Sequence, residues 1–169
     1  MEEKVRLAIC GDEEAFTYLI NCKKEQLYRT AFAYVKNKED VLDIIQETVY
    51  KAYVSIGKLK EPKYFNTWIT KILINTSITF MKKNSKIIYL ENELNNITTL
   101  ENNHDEKLDL LHAIDRLEEN IKRVIILKYL NDLTISDVAK ILEIPEGTAK
   151  TYLNKGLSKL KNYLGEELV

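Results

Sequence analysis

Residues 133–164 read "LTISDVAKILEIPEGTAKTYLNKGLSKLKNYL", and the punctuation of this stretch decides the fold. Thr134 opens a T-x-x-D pattern, in which the hydroxyl can cap a helix while Asp137 sits at its positive end. Val138, Ala139 and Leu142 then form one inward face, with Ala139 small enough for a second helix to cross closely. Ile144 plugs a turn. Pro145 fits at a helix start, where its missing N–H costs nothing. Ala149, Leu153, Leu157, Leu160 and Leu164, spaced mostly by four, are expected to bury the second helix against the first. The spacing therefore predicts helices over 135–143 and 145–164, a helix-turn-helix. Thr148, Lys150, Thr151, Tyr152, Asn154, Lys155, Ser158 and Lys159 are left facing outward. That set suits phosphates and base edges in a major groove that admits one helix. A plain helical hairpin with a solvated basic face satisfies the same pattern, so this stretch alone leaves both readings open.

Charge supports the first of them. The 169-residue chain has a formal net charge of -1, yet its charges are segregated. From Lys58 to Tyr89 seven lysines face one acid, from Leu90 to Asp109 six acids face one lysine, and from Pro145 to Tyr163 four lysines face one glutamate. Two basic blocks separated by an acidic one can grip a polyanion twice while the whole stays near neutral.

Working back toward the N-terminus, only 5 Gly and 2 Pro interrupt the chain, which argues for long helices and few turns. The expected class is all-α. A short helix over Glu2 to Ile9 ends at Gly11, and Asp12 caps a long second helix with Phe16, Leu19, Ile20, Leu27, Ala31, Phe32 and Val35 on its apolar face. Asn37 caps a third, ended by Gly57, with Val41, Ile44, Ile45, Val49, Ala52 and Tyr53 inward and a polar strip of Asp40, Asp43, Gln46, Glu47 and Lys51 outward. A fourth runs over 64–83, with Phe65, Ile69, Ile72, Leu73, Thr76 and Phe80 as its buried side. Residues 84–106 lose all periodicity, and their "NELNNITTLENNHDE" core has linker composition; "KIIYL" at 86–90, the one strand-like run, is too short and isolated to build a sheet. A structureless stretch of that length marks a boundary. The expected organisation is a domain over 1–84, an acidic flexible linker over 85–106, and a four-helix helix-turn-helix domain over 107–169, with helices over 107–117, 119–130, 135–143 and 145–164.

Chemistry of other kinds finds little footing. Cys10 and Cys22 lack a CxxC spacing or a nearby histidine and read as small buried thiols. His104 and His112 have no nucleophile or ligand set beside them. No phosphate-binding glycine loop is present, so neither an enzyme nor a metal or other cofactor is expected. No apolar run is long enough to span a bilayer, and "MEEKVRLAIC" is acidic where a signal peptide is basic; the expected location is the cytoplasm, without membrane insertion. The N-terminal basic block has one further property. Its lysines are interleaved with aromatics, in Lys63, Tyr64, Phe65, Asn66 and Trp68, with Asn75, Thr79, Lys82 and Lys83 further along. Exposed rings can stack on unpaired bases, although Phe65 and Trp68 fit a core equally well.

"GDEEAFTYL", "YRTAFAYVKNKEDVLDIIQETVYKAY", "FNTWITKILIN" and the helix-turn-helix block occur in the order and spacing of bacterial RNA polymerase sigma factors. From Gly11 to Leu164 the chain resembles the small two-domain group of that family called extracytoplasmic function. The resemblance implies a subunit for transcription initiation, in an envelope or stress response. Its implied partners are the polymerase core, through the clamp coiled coil and the flap, promoter DNA and a membrane-bound anti-sigma factor. Asp43, Gln46 and Glu47, with Asp40 and Tyr50, match the segment that docks on the polymerase clamp. Lys63, Tyr64, Asn66, Trp68, Asn75, Lys82 and Lys83 match the part that recognises the minus-ten element and captures a flipped base. Thr148, Lys150, Thr151, Tyr152, Asn154, Lys155 and Lys159 match the reader of the minus-thirty-five element. The chain departs from the family in having Tyr152, Lys155 and Leu157 where arginines are common, which removes bidentate guanine contacts there. Thr79, Lys82 and Lys83 likewise replace an aspartate and arginines. A free-standing helix-turn-helix regulator is the alternative.

Overall fold

The computed structural model describes residues 1–91 and 112–166, with side chains over 1–83 and 112–163. Among these residues all regular structure is helical. The chain divides into two compact units, Met1–Leu94 and Asn95–Val169.

In the first unit α1 (Glu2–Ile9), α2 (Glu13–Val35), α3 (Lys38–Ser55) and α4 (Phe65–Glu91) follow one another, with 3-10 turns at Ile56–Lys58 and Pro62–Tyr64 before α4. Gly11 turns the chain with a φ of 97° that side chains disfavour. Asp12 then caps α2, its Oδ1 accepting from the Ala15 N–H at 2.8 Å. At the other end Lys36 takes the left-handed conformation, and Asn37 Oδ1 accepts from the N–H groups of Glu39 at 2.8 Å and Asp40 at 3.2 Å. Satisfying both helix ends within two residues makes the α2–α3 corner tight. The core joins Val5 and Ala8 of α1, Phe16, Leu19, Leu27 and Ala31 of α2, Val41, Ile44 and Ala52 of α3, and Phe65, Ile69 and Leu73 of α4.

Several expectations are corrected. Tyr53, placed on the buried side of α3, is 47% exposed. Cys10 and Cys22 are exposed; Cys10 caps the end of α1, and Cys22 lies on a solvent-facing stretch of α2 beside Asn21 and Lys24. The fourth helix continues past Lys83 to Glu91, through "KIIYL" and into the stretch expected as linker, since neither Gly nor Pro stops it there. The rest of that stretch, including His104, lies outside the described residues; His112 is exposed.

The described part of the second unit opens with helical residues 112–115, which belong to the expected 107–117 helix. α5 (Glu119–Ile125) continues as a π-helix over Ile126–Leu130, and α6 (Ile135–Leu142) and α7 (Glu146–Glu166) follow. The expected α-helix over 119–130 therefore changes type. Val124, Ile125, Ile126 and Leu127 are all buried, so the junction of α5 with the π-helix is enclosed, while Asn120 and Tyr129 toward the two ends stay exposed. Asn131 Nδ2 donates to the Ile126 carbonyl at 3.4 Å where the wider turn ends.

Thr134 caps α6 as expected, accepting from the Asp137 N–H at 3.1 Å while its hydroxyl donates to Asp137 Oδ2 at 2.6 Å. Glu143 adopts φ 56° and closes α6 onto the Ala139 carbonyl. The Ile144 N–H donates to the same carbonyl at 3.0 Å, and Pro145 precedes α7, its carbonyl accepting from Ala149 at 3.1 Å. On α7 the buried row is Ala149, Gly156 and Leu160, with Leu153 half-buried and Leu157 39% exposed. Leu157 was expected inward. A spacing of four residues overshoots one turn by about 40° each time, so a run of fours drifts off the face, whereas steps of four, three and four stay on it. Gly156 takes the place that Leu157 was given.

Candidate functional site

Three surfaces carry the residues singled out above. On α3, Asp43, Gln46, Glu47 and Tyr50 are exposed, Tyr50 at 67%, and Asp40 is half-buried in the first turn. Their presentation follows from burial of Val41, Ile44, Thr48 and Ala52 on the opposite side. Glu47 is already paired, its carboxylate 2.7 Å from Lys51 Nζ, and that ammonium also reaches Thr76 Oγ1 at 3.3 Å.

Beside this polar ridge runs an open groove of about 550 Å³ between α2 and α3, lined by Phe16, Ile45, Gln46, Val49, Tyr50 and Tyr53 among others. Tyr53 stands edge-on to Phe16 at 5.3 Å and donates its hydroxyl to Glu13 at 2.8 Å. That bond to a carboxylate raises its phenol above the ordinary value. Phe16 belongs to the core and Ile45 and Val49 pack against it, as expected; sequence reasoning missed that these three, with the exposed Tyr53, also wall a groove. Leu42 and Val54, apolar residues of the same helix outside the expected inward set, are also exposed.

On α4 and the turn before it, Lys63, Tyr64, Asn66, Asn75, Lys82 and Lys83 are exposed. Lys63 Nζ lies 5.0 Å from the Tyr64 ring centroid, a cation–π pair. Trp68 is half-buried against the core, its ring 6.0 Å from that of Phe65, and Phe65 is fully enclosed. Trp68, Asn75, Thr79 and Lys82 recur at helical spacing and form one stripe. The Thr79 hydroxyl donates to the Asn75 carbonyl at 2.8 Å.

On α7, Lys150, Thr151, Asn154, Lys155 and Ser158 are exposed. Lys150 pairs with Glu146 at 2.8 Å, and the Thr151 hydroxyl donates to the Gly147 carbonyl at 2.9 Å. Thr148 is half-buried. Tyr152, expected outward, is also half-buried and lines a small cleft of about 100 Å³ with Asn120, Arg123, Leu142 and Ile144. Its ring is large and apolar enough to be drawn toward the helix junction. Lys159 is half-buried and bonds to Glu118 at 2.7 Å. This hydrogen bond, helped by the charge of Lys155, holds the Glu118 carboxyl below its ordinary range, and Glu118 raises Lys159 in return.

Among the described residues no group of three or more His, Cys, Asp and Glu could hold a metal ion, and no helix is long and apolar enough to cross a membrane.

Two family models match the chain: "Sigma-70 region 2" over residues 19–87 and "Sigma-70, region 4" over residues 107–160. RNA polymerase sigma factor SigV of Bacillus subtilis is 35% identical over 153 residues, covering 88% of this chain and 92% of SigV. The ECF RNA polymerase sigma factor SigW of the same organism is 27% identical, covering 97% and 96%. Among solved structures, the sigma factor RpoE in complex with the anti-sigma factor NepR from Bartonella quintana superposes with a TM-score of 0.76 at 19% identity, covering 89% of this chain and 96% of that one.

Proposed function

The chain belongs to the extracytoplasmic-function group of the sigma-70 family of RNA polymerase sigma factors, and on that premise we propose how its surfaces divide the work of transcription initiation. The family is not enzymatic; its members direct core polymerase to promoters. The first unit takes polymerase docking and the minus-ten element and the second the minus-thirty-five element, and the acidic linker expected over 85–106 starts only beyond the end of α4 at Glu91. The α3 ridge of Asp43, Gln46 and Tyr50, flanked by its groove, holds the clamp coiled coil of the core, and the second domain meets the flap. The stripe on α4, with Lys63 and Tyr64, takes the minus-ten element. There a flipped base gains stacking and pocket contacts that offset the cost of leaving the duplex. α7 enters the major groove at the minus-thirty-five element.

The observation that carries this reading is the two-sidedness of α7. Gly156 seals one side against Ile121 and Ile125, while Lys150, Thr151, Asn154 and Lys155 stand in solvent on the other. Lysine is a point charge and not a bidentate fork, so phosphate contacts dominate and direct base reading falls to Asn154 and Thr151. A reader of that kind binds weakly alone and depends on polymerase to place it. An anti-sigma factor, by analogy with the partner of the Bartonella protein, is proposed to cover these surfaces until a signal releases the chain. Because family members act on the chromosome, the cytoplasm is the proposed location.

The test compares retention of a promoter-fragment library by the chain alone, by core polymerase alone and by both. Sequence-selective retention is expected only with both. Equal selectivity by the chain alone would replace this reading with that of a free-standing regulator. In the same assay Lys150→Ala with Lys155→Ala should flatten the salt dependence, since each phosphate contact contributes about 0.9 to its slope.

A further inference from the structure

The pair formed by Lys159 and Glu118 joins positions far apart in the chain, and so exists only in the folded second unit. Glu118 immediately precedes α5 but makes no capping bond there. Its side chain, 73% exposed, instead reaches α7, where its Oε1 lies 2.7 Å from Lys159 Nζ. The charge of Lys155, one turn earlier on α7, also favours the ionised form of this carboxylate. A lysine on the face assigned to DNA is therefore held by an intramolecular anion.

We propose that Glu118 is a built-in competitor for DNA phosphate: its carboxylate occupies the Lys159 ammonium in the free chain, and so tempers the grip of α7 on DNA. This inference rests on the reading of α7 as the minus-thirty-five helix. A carboxylate and a phosphate present the same kind of anionic oxygen to an ammonium group. When α7 approaches a duplex, Glu118 either yields Lys159 or leaves a negative charge beside the incoming phosphate. Solvent-exposed ion pairs are weak ties, so the carboxylate lowers affinity without preventing binding. The affinity it removes is the sequence-independent part supplied by phosphates, and the share carried by base contacts rises accordingly. For a chain whose DNA-binding face relies on lysines, that shift restrains binding at random sites.

The opposite role, in which Glu118 holds Lys159 in a posture that DNA requires, predicts the opposite sign. The experiment titrates the full-length chain against a fluorescein-labelled duplex of arbitrary sequence about two helical turns long, by anisotropy at several sodium chloride concentrations. Glu118→Gln keeps the size and polarity of the side chain and removes its charge. At the lowest salt it is expected to bind about twofold to fivefold more tightly, with a salt slope steeper by up to about 0.9. Unchanged or weaker binding by Glu118→Gln overturns the proposal. Lys155→Ala with Lys159→Ala, in the same assay, separates the two levels of inference. If this variant binds more weakly while Glu118→Gln fails to tighten, only the competition is refuted. If it binds like the parent, α7 does not meet phosphates, and the reading beneath the proposal falls with it.

Discussion

Replacing Gly156 by alanine is expected to destabilise the C-terminal unit by about 1 to 3 kcal/mol, the range for forcing extra atoms into a packed core. Helix propensity argues the other way, because alanine is better than glycine in a helix interior by about 1 kcal/mol. Packing decides the sign. A Cβ at this position would lie 2.8 Å from both Ile121 Cγ2 and Ile125 Cγ1 and 2.9 Å from Ile125 Cδ1. Both isoleucines are almost wholly buried and have little room to yield. α7 would be pushed off α5, and with it the face that carries Lys150 and Lys155. The chain has one tryptophan, Trp68, in the first unit, so two probes separate the units. Helical circular dichroism should show an early transition about 4 to 8 °C lower for each kcal/mol lost, while the Trp68 fluorescence transition stays in place. A dichroism midpoint equal to or above the parent's would mean that the helices are not in contact at Gly156.

On the other unit, Asp43→Ala combined with Gln46→Ala is expected to weaken association with core polymerase tenfold or more, without unfolding. Both side chains are exposed, so neither contributes to the core. Removing polar groups from the rim of an apolar groove leaves their counterparts on the partner unsatisfied, at about 1 to 3 kcal/mol each, and interface energy concentrates in few residues. Glu47→Ala should cost less, because Glu47 is engaged by Lys51 in the free chain. Tyr50→Ala, which removes the most exposed ring along the groove, should cost about as much as the double variant. Core affinities measured by competition, with melting curves as the control for folding, check this ranking. Parent-like affinity in the double variant would move the docking surface away from α3.

The ends of the helices were the part most legible in the sequence, because a cap is a local event. Asp12, Asn37 and Thr134 each bond backbone groups two or three residues on, and no distant partner has to be known. Faces were legible where apolar spacing alternated between three and four, as at Phe65, Ile69, Ile72 and Thr76. They were misread where a residue has two plausible surroundings. Tyr53 can lie in a core or line a groove, and Tyr152 can face DNA or tuck into the helix junction. Leu157 followed a run of fours that drifts off the packed face, and only the neighbouring Ile121 and Ile125 reveal that glycine belongs in that place. The Glu118–Lys159 pair was invisible for a similar reason. It joins a position at the start of α5 to one late in α7, and nothing in either local sequence points to the other. Exposed polar residues, by contrast, stood where the pattern placed them at Asp43, Gln46 and Glu47 on α3, and Asn75, Lys150, Asn154 and Lys155 did so on α4 and α7.

The central claim is that one chain brings two lysine-bearing surfaces, on α4 and α7, to a single promoter while α3 holds the polymerase. Hydroxyl-radical footprinting of a promoter fragment with core polymerase, with and without the chain, tests it most directly. The chain should add two separate protected patches, at the minus-thirty-five and minus-ten elements, and Lys150→Ala with Lys155→Ala should erase the upstream patch while sparing the downstream one. Loss of both patches together, or the same footprint from the chain without polymerase, would contradict the claim.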